Sequence, residues 1–340
     1  MAPPPVYAGT PKDAAGSPSR KIYLFAPLPL NHHGPWGKPN ASLETLADRR
    51  HRRMTMRANT TSPIDVSSGK DAAYENFPVG SWLLPAHLRP PIATFYAFAR
   101  ATDDIADSPL LSAAEKVERL NGYERALLGG EAHDPTYAKA HAMRRSLAST
   151  DTTSRYCVDL LAAFKQDATK LRYKNWGELI GYCQLSAAPV GRYLIDLHGG
   201  SEDNYASSDA LCSALQILNH LQDAKADYRD LDRVYLPTGW FAEEGSNVTE
   251  LRAHQSSPEM RRVIDRALDG VDELLAAAST IGTAIINTRL AMEAEVIYAI
   301  ARKLSAKLRR NDPLGPRVVL NKPQYALCCV AGIARAILHR

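Results

Sequence analysis

The sequence has few cysteines, no long apolar run and no glycine-rich phosphate loop. An odd number of cysteines without paired zinc spacing fits a reducing compartment better than a disulfide framework. Residues 274–286 are too short a stretch, and contain too many small polar residues, for a membrane-spanning helix of about 20 residues. Without a GxGxxG motif or a βαβ pattern, nicotinamide-dependent reduction is not supported. The cysteines are expected to be small core residues: Cys157, Cys183, Cys212, Cys328 and Cys329.

The first 65 residues differ in composition from the rest. They hold many of the 22 prolines, and residues 49–57 form a basic run with few acids. Such a segment buries little apolar surface, so residues 1–65 are expected to be a disordered extension and residues 66–340 the folded domain. Translation from Met54 or Met56 is one interpretation; a membrane or nucleic-acid role for the basic run is the other. The net charge of +4 is too modest to decide partners, and we expect no nucleic acid among them.

Strand signals are sparse, whereas alanine-rich stretches with apolar residues at helical spacing recur along the chain. This pattern predicts an all-α protein, with one helical bundle of about 260 to 270 residues. The predicted helical stretches are 112–130, 134–149, 154–172, 176–198, 207–229, 257–278, 280–310 and 323–338.

Two aspartate pairs carry the chemistry. Asp103 and Asp107 lie four residues apart, and Asp223 and Asp227 repeat that spacing 120 residues later. Residues four apart share a helix face, where paired carboxylates suit hard divalent cations. One such pair alone is more often a solvated helix face, but two in apolar settings predict a clamp that holds a diphosphate through Mg²⁺ and ionises its ester.

Polar side chains accompany both pairs. Arg100, one turn before Asp103, either reaches diphosphate oxygens with its planar fork or forms an ion pair within its own helix. Gln216 and Asn219 extend the second carboxylate stripe, and a polar stripe on an apolar helix must face water or a wet cavity. Amides beside carboxylates favour the cavity. The two arginines and two tyrosines of residues 228–235 either cover the diphosphate, a role assigned to Arg229, or lie on the surface.

In combination these motifs resemble the squalene and phytoene synthase family, over about residues 74–324. The resemblance rests on ENFPVGSWLLP, FYAFARATDDIAD, AFKQDATKLRY, YCQLSAAPVGR, NHLQDAKAD and RVYLP, and is strongest to the hydroxysqualene synthase branch of the bacterial hopanoid pathway. It implies an isoprenoid-synthase helical bundle around a central cavity, with the aspartate motifs on facing helices.

The resemblance also implies a set of roles. Metal ligands would be Asp103, Asp104, Asp107, Asp223 and Asp227. Their companions at the diphosphate would be Tyr96, Arg100, Gln216 and Asn219. Tyr182 and residues 186–192 match the segment where a central helix is interrupted beside the isoprenoid tails, and Tyr298 and Arg317 match a tyrosine and a late diphosphate-binding arginine.

Gln222 departs from the pattern of squalene synthases that condense two farnesyl diphosphates. Those enzymes resemble this chain but carry Arg immediately before the first Asp of the second motif, where this chain has Gln222. Losing a guanidinium removes a fixed cation from the diphosphate site. We therefore expect Gln222 to contact substrate and to distinguish this branch.

The reaction implied is a lyase reaction. Presqualene diphosphate would lose diphosphate and rearrange, and water would capture the cation to give hydroxysqualene, with Tyr182 or Asn219 orienting that water. The alternative is a head-to-head prenyltransferase that makes presqualene diphosphate, squalene or a phytoene-like product. A catalytically silent subunit is a third hypothesis, against which the four intact aspartates argue.

A thirty-carbon substrate and product barely dissolve in water. We therefore expect a cytoplasmic protein with peripheral contact at the inner face of the membrane, through the C-terminal stretch YALCCVAGIARAIL. The alternative is that the apolar face of this stretch packs in the protein core. Direct handover from a presqualene diphosphate synthase is a further expected partnership.

Overall fold

A computed structural model describes residues 26–27, 78–79, 83–130 and 134–338. The prediction of a disordered extension over residues 1–65 falls outside this description, apart from Ala26–Pro27, and most of the ENFPVGS motif falls outside it too. Ala26–Pro27 (β1) pairs in parallel with Pro78–Val79 (β2), and this two-residue ladder is the strand structure of the described chain.

The described chain is otherwise helical, which confirms the all-α prediction. Its α-helices are α1 Arg89–Ala106, α2 Ala113–Leu128, α3 Ala138–Thr150, α4 Arg155–Thr169, α5 Trp176–Ser186, α6 Ala188–Leu197, α7 Tyr205–Leu231, α8 Thr238–Glu243, α9 Pro258–Ala277, α10 Ile281–Ala284, α11 Thr288–Leu308 and α12 Lys322–Leu338. Short 3₁₀ turns occupy Ala86–Leu88, Pro135–Tyr137, Glu202–Asn204, Val248–Arg252 and Ala278–Thr280.

The helix ends follow from local sequence. Ser112 caps α2 through a capping box with Glu115, and the helix stops at Gly129, which adopts a left-handed φ of 104°. Two of the predicted helical stretches are each split, the first of them where the resemblance placed an interruption. The stretch 176–198 breaks at Ala187, because Pro189 in the first turn of α6 has no N–H to continue the ladder. The stretch 280–310 breaks before α11, whose first N–H groups are capped by Asn287.

Helix α7 runs through the core and organises the bundle. It packs against α6, α9 and α11, while α1 packs against α2, α3 and α4. Gly191 lets α6 approach α7 closely, since a Cβ there would lie 2.3 Å from Ser208 Oγ and 2.8 Å from Cys212 Sγ. The C-terminal ends of α1 and α7 are brought together by Arg233, two residues beyond the end of α7.

Candidate active site

The first aspartate motif lies at the C-terminal end of α1. Asp103 and Asp107 are 2% and 4% exposed, so this pair is not a solvated helix face. Asp107 caps the helix, and its N–H donates to the Asp103 carbonyl at 2.9 Å. Arg100 Nε lies 3.1 Å from Asp104 Oδ1, so the ion pair within the helix that the sequence left open does form.

Arg233 joins the end of α1 to the end of α7. Its buried guanidinium donates to the Asp107 carboxylate and, at 2.7 Å, to the Ala106 carbonyl. Burial alone would lower the pKa of Arg233, but Asp107 and Asp167 outweigh it and raise that pKa, so the group is charged. The chain turns toward α1 at Asp232, whose left-handed φ of 50° is a conformation that Asp tolerates. Arg233 is therefore part of the site and not of the surface.

The second aspartate motif meets the loop before α12. Asp223 and Asp227 are 2% and 3% exposed on α7. Arg317 donates to Asp223 through Nε and Nη2, each at 3.2 Å, in the bidentate geometry that suits a carboxylate. Beside it, Gln222 Nε2 donates to the Val318 carbonyl at 2.6 Å. Gln222 thus fixes the loop that presents Arg317.

Polar atoms continue along α7 on the N-terminal side of Asp223. Gln216 and Asn219 are buried, and in the described part of the chain both amide atoms of Gln216 and Nδ2 of Asn219 have no hydrogen-bond partner. A buried polar group without a partner costs about 1 to 3 kcal/mol. Burial shows that these amides do not face bulk water, and their contact with a ligand in a wet cavity stays a prediction.

The donor set fits Mg²⁺ bound together with a diphosphate. The candidate ligands are hard carboxylate oxygens, the type that Mg²⁺ prefers. Among the described residues, no group of three or more acidic, histidine or cysteine side chains is close enough to hold a metal alone. Mg²⁺ is commonly held by one or two carboxylates plus substrate phosphates, so substrate oxygens would complete its coordination here. The residues that would hold it are Asp103, Asp104, Asp107, Asp223 and Asp227.

A buried carboxylate and tyrosines lie behind the site. Asp167 of α4 accepts a hydrogen bond from Tyr182 Oη at 2.7 Å and another from Tyr235 Oη. Tyr173 packs against both rings, and His220 stacks on Tyr235 with 3.7 Å between ring centroids. Burial, and next the charge of Asp167, raise the pKa of Tyr182 and Tyr235 well above the usual value. The Tyr182 hydroxyl is therefore a fixed donor to Asp167.

Sequence reasoning missed two charged groups here. Asp167 lies in AFKQDATKLRY, where an acid on a largely apolar helix was an available signal. Burial, and next the charge of Arg233, lower the pKa of Lys116, while Asp107 and Asp167 act in the opposite direction. The Lys116 ammonium group therefore lies near the Asp107–Arg233 pair. The segment of α2 that carries Lys116 is an ordinary amphipathic helix, so the local sequence gives no signal that Lys116 lies near this pair.

Three other predicted residues have different surroundings. The Arg229 side chain is 55% exposed and pairs with Asp230 at 2.6 Å. Tyr298 of α11 is buried, and its ring lies against the guanidinium groups of Arg302 and Arg335. Tyr96 is partly buried against the core on α1. These contacts of Arg229 and Tyr298 involve neither aspartate motif, so the roles of both residues at the substrate stay predictions.

A small apolar cavity of about 30 Å³ lies between α6, α7, α10 and α11. The α7 residues in its wall, from Ser208 to Leu215, come directly before Gln216 and the carboxylate stripe. An apolar cavity and a stripe of polar side chains thus follow each other along one helix. The cavity is lined by Gly191, Leu194, Ile195, Ser208, Leu211, Cys212, Leu215, Ile281, Ile285, Leu290, Glu293, Ala294 and Ile297.

Comparison with known proteins finds relatives in sequence and in fold. A model of the squalene/phytoene synthase family matches residues 71–324. The chain is 40% identical to a hydroxysqualene synthase of Rhodopseudomonas palustris, over 82% of this chain and 95% of that protein. It is 39% identical to a hydroxysqualene synthase of Sinorhizobium fredii, over 78% and 90%. The solved structure of squalene synthase HpnC from Alicyclobacillus acidocaldarius aligns with a TM-score of 0.62 and 28% identity, over 70% of this chain and 88% of that one.

Proposed function

The chain belongs to the squalene/phytoene synthase family, and we propose that it is a hydroxysqualene synthase. The substrate would be presqualene diphosphate, and the reaction a Mg²⁺-dependent loss of diphosphate followed by addition of water. The observation that carries the proposal is the order along α7, where an apolar cavity leads to buried amides and then to carboxylates paired with arginines. Relatives that carry the name hydroxysqualene synthase support the choice within the family.

The polar end of the site would bind and release the diphosphate. Bound Mg²⁺ would neutralise the charge that develops on the leaving group. Arg317 and Arg233 already lie against Asp223 and Asp107, so their guanidinium groups are in place to contact diphosphate oxygens. The amide groups of Gln216 and Asn219 would donate to the same ligand and fix its orientation. Cations and dipoles fixed in advance stabilise developing charge without reorganising.

The apolar end would protect the carbocation. Once the C–O bond to diphosphate breaks, the cation must rearrange before water meets it, which requires a closed apolar pocket. The cavity wall is almost entirely aliphatic, which supports this part of the proposal. Capture by water then forms a new C–O bond and releases a proton. The overall change is presqualene diphosphate plus water to hydroxysqualene, diphosphate and a proton, which is lyase chemistry.

The test is incubation of purified protein and Mg²⁺ with presqualene diphosphate and, separately, with farnesyl diphosphate. We expect hydroxysqualene from the first substrate, detected by mass spectrometry, no product from the second, and no reaction with a chelator present. Consumption of farnesyl diphosphate would make the protein a condensing prenyltransferase. Inertness toward both substrates would favour a silent subunit.

Helix α12 is proposed to rest on an anionic membrane surface. Its buried side, which includes Gly332, packs so closely on α11 that a Cβ at Gly332 would lie 2.5 Å from the Val296 backbone. Two exposed cations of α11, Arg302 and Lys303, lie on the same side of the molecule as α12. Arg302 stacks on the ring of Tyr298, which also contacts Arg335 of α12. The charge of Lys303 acts on Cys328 of α12. The exposed side of α12 consists of Ala326, Leu327, Val330, Ala331, Ala334, Ile337 and Leu338.

Apolar side chains in a row beside exposed cations suit an interfacial helix on anionic lipid. Within the described chain, every helix is too short or too polar to cross a bilayer. Contact with the membrane surface would let a substrate of thirty carbons enter the protein from the lipid. The other route of entry is direct handover from the synthase that makes this substrate.

The membrane proposal is tested by co-sedimentation with vesicles containing phosphatidylglycerol. Replacing Leu327 and Val330 by Glu should weaken binding at least about tenfold, since each buried aliphatic side chain contributes about 1.5 to 3 kcal/mol. Leu110→Glu, which changes an 81% exposed leucine outside α12, is the matched control and should bind like wild type. The proposal would be overturned if the α12 variant bound the vesicles as tightly as wild type does. It would also be overturned if the wild-type protein were a dimer in solution and the α12 variant a monomer.

A further inference from the structure

An open cleft of about 470 Å³ lies against the loop that presents Arg317, residues 311–319. Arg317 lines this cleft and, on the inner side of the loop, donates to Asp223 of α7. Within the described chain, Lys307 of α11 and the exposed Gln255 form part of the remaining wall. The loop is therefore the partition between this cleft and the second aspartate motif.

Two lysines hold the ends of the loop through its backbone. Lys225 Nζ donates to the Leu314 carbonyl at 3.2 Å, and Lys307 Nζ donates to the Val319 carbonyl at 2.6 Å. In the part of the chain that the structure describes, the acceptors of both ammonium groups are carbonyl and amide oxygens, which carry no net charge. Both lysine charges are therefore left uncompensated beside the loop.

Other charges near the loop are already matched. Arg309, two residues after Lys307, pairs with Asp269 at 2.8 Å and with Asp272 at 2.6 Å. The one carboxylate in the described wall of the cleft, Asp312, accepts hydrogen bonds from the Ser256 N–H at 2.6 Å and from the Ser256 hydroxyl at 2.7 Å. The cleft thus combines uncompensated cations with an acid whose two oxygens are engaged, and its field favours an anion.

Arg317 connects this field to the aspartate motif. Its two hydrogen bonds to Asp223 use two of the five N–H groups of a guanidinium. The side chain is 21% exposed and lines the cleft, so the other N–H groups can meet an acceptor that lies there. Phosphate oxygens match the planar fork of arginine and accept hydrogen bonds only. A phosphate-type anion is therefore the ligand that the cleft suits.

We propose that the cleft is a second anion site, which holds the diphosphate product as it leaves the aspartate motifs. The inference rests on the proposed function, because that reaction supplies the diphosphate. Arg317 would contact the anion on both sides of the loop, and Lys307 would add a second charge. The apolar cavity lies toward the other end of α7, before Gln216, so a hydrocarbon tail would point away from the cleft. The site therefore suits the inorganic product and not the ester.

The test is calorimetric titration of the full chain with sodium diphosphate at low ionic strength, with a chelator present so that no metal bridges the aspartates. Wild type should bind diphosphate. Gln255→Glu is nearly isosteric and places a negative charge in the wall of the cleft, while Lys307→Met removes a positive one. Each should weaken binding at least about fivefold. Gln255 makes no hydrogen bond to the loop in the described chain, so its variant leaves the loop in place.

Arg309→Met is the matched control. It lowers the net charge by the same amount as each of the other two changes, but it removes a cation that is paired with Asp269 and Asp272. Binding should stay within about twofold of wild type. Equal weakening in all three variants would mean that net charge alone attracts the anion, and would overturn the site.

Inhibition of turnover separates this inference from the proposed function. In wild type, added diphosphate should inhibit even at saturating presqualene diphosphate, because the two sites differ, and Gln255→Glu should need at least about fivefold more diphosphate for the same inhibition. No binding by wild type, or inhibition that saturating substrate abolishes, overturns the inference and leaves the proposed function standing. Diphosphate binding without any turnover would overturn the proposed function and, with it, the role of the cleft as a product site.

Discussion

At the scale of single residues, each aspartate motif is tied to an arginine far away in sequence. Arg233 meets Asp107 across 126 positions, and Arg317 meets Asp223 across 94. Removing one partner of a buried pair leaves an uncompensated charge, which is costly. These arginines therefore both maintain the site before substrate arrives and stand ready to contact the diphosphate.

Asp103→Asn and Asp223→Asn should each lower turnover of presqualene diphosphate by several orders of magnitude. Each amide keeps the shape of the side chain but removes a charge that Mg²⁺ requires. Steady-state diphosphate release measures the loss, and circular dichroism checks that the fold is intact. Activity close to wild type in either folded variant would contradict the metal clamp.

Gln222→Arg should change the product spectrum. The amide of Gln222 holds the Val318 carbonyl beside Arg317, so an arginine there adds a cation next to Asp223 and releases the loop. Gln222→Met releases the loop without adding charge and separates the two effects. Mass spectrometry of products from presqualene diphosphate gives the outcome. An unchanged spectrum in both variants would mean that position 222 does not tune the reaction.

At the scale of elements, the contact of α6 with α7 shapes the hydrocarbon cavity. Pro189 ends the preceding helix. Gly191 then lets α6 pack so closely on α7 that a Cβ at this position would lie 2.3 Å from Ser208 Oγ. Small residues here leave room beside α7 and form part of the cavity wall. The interruption of the helix is confirmed, while its position beside the isoprenoid tails stays a prediction.

Gly191→Ala should destabilise the protein by about 1 to 3 kcal/mol, because an added methyl overpacks the contact with Ser208 and Cys212. Gly181→Ala is the matched control on α5, since nothing lies within 4 Å of a Cβ there. It should be neutral or stabilise by up to about 1 kcal/mol. Urea unfolding measures both. Equal stability of the two variants would contradict the close contact.

At the scale of the whole molecule, buried tyrosines link stability to alkaline pH. Tyr173, Tyr182 and Tyr235 surround Asp167, and burial foremost raises the pKa of all three above the usual value near 10. The folded protein therefore keeps protons that the unfolded chain loses. The stability that these groups contribute is complete below about pH 10 and is lost as pH rises through the folded pKa values.

The free energy of unfolding should thus fall above pH 10, by about 1.4 kcal/mol per pH unit for each such tyrosine. Urea unfolding between pH 7 and pH 11 measures it. Tyr235→Phe should make the fall less steep, while lowering stability at pH 7 by about 1 to 3 kcal/mol because Asp167 loses a donor. A flat profile up to pH 11 would contradict the buried network.

Helix positions, the aspartate motifs and the polar stripe of α7 were predictable from sequence, because helical periodicity and residue spacing are local properties. The split of the stretch 280–310 was not predicted, since it depends on a single capping asparagine. The surroundings of Tyr298 and Arg229 were not predictable either, because spacing gives a helix face but not the neighbour that covers it.

The sequence by itself determined an all-helical protein with two carboxylate pairs, since these follow from residue types and their spacing, and its motifs indicated the squalene and phytoene synthase family. Only the tertiary structure decided that Arg233 is buried against Asp107, that Lys116 and Asp167 lie beside that pair, and that Glu293 lines the cavity. The reason is that each of these contacts joins segments distant in the chain, and their charges matter only where packing excludes water.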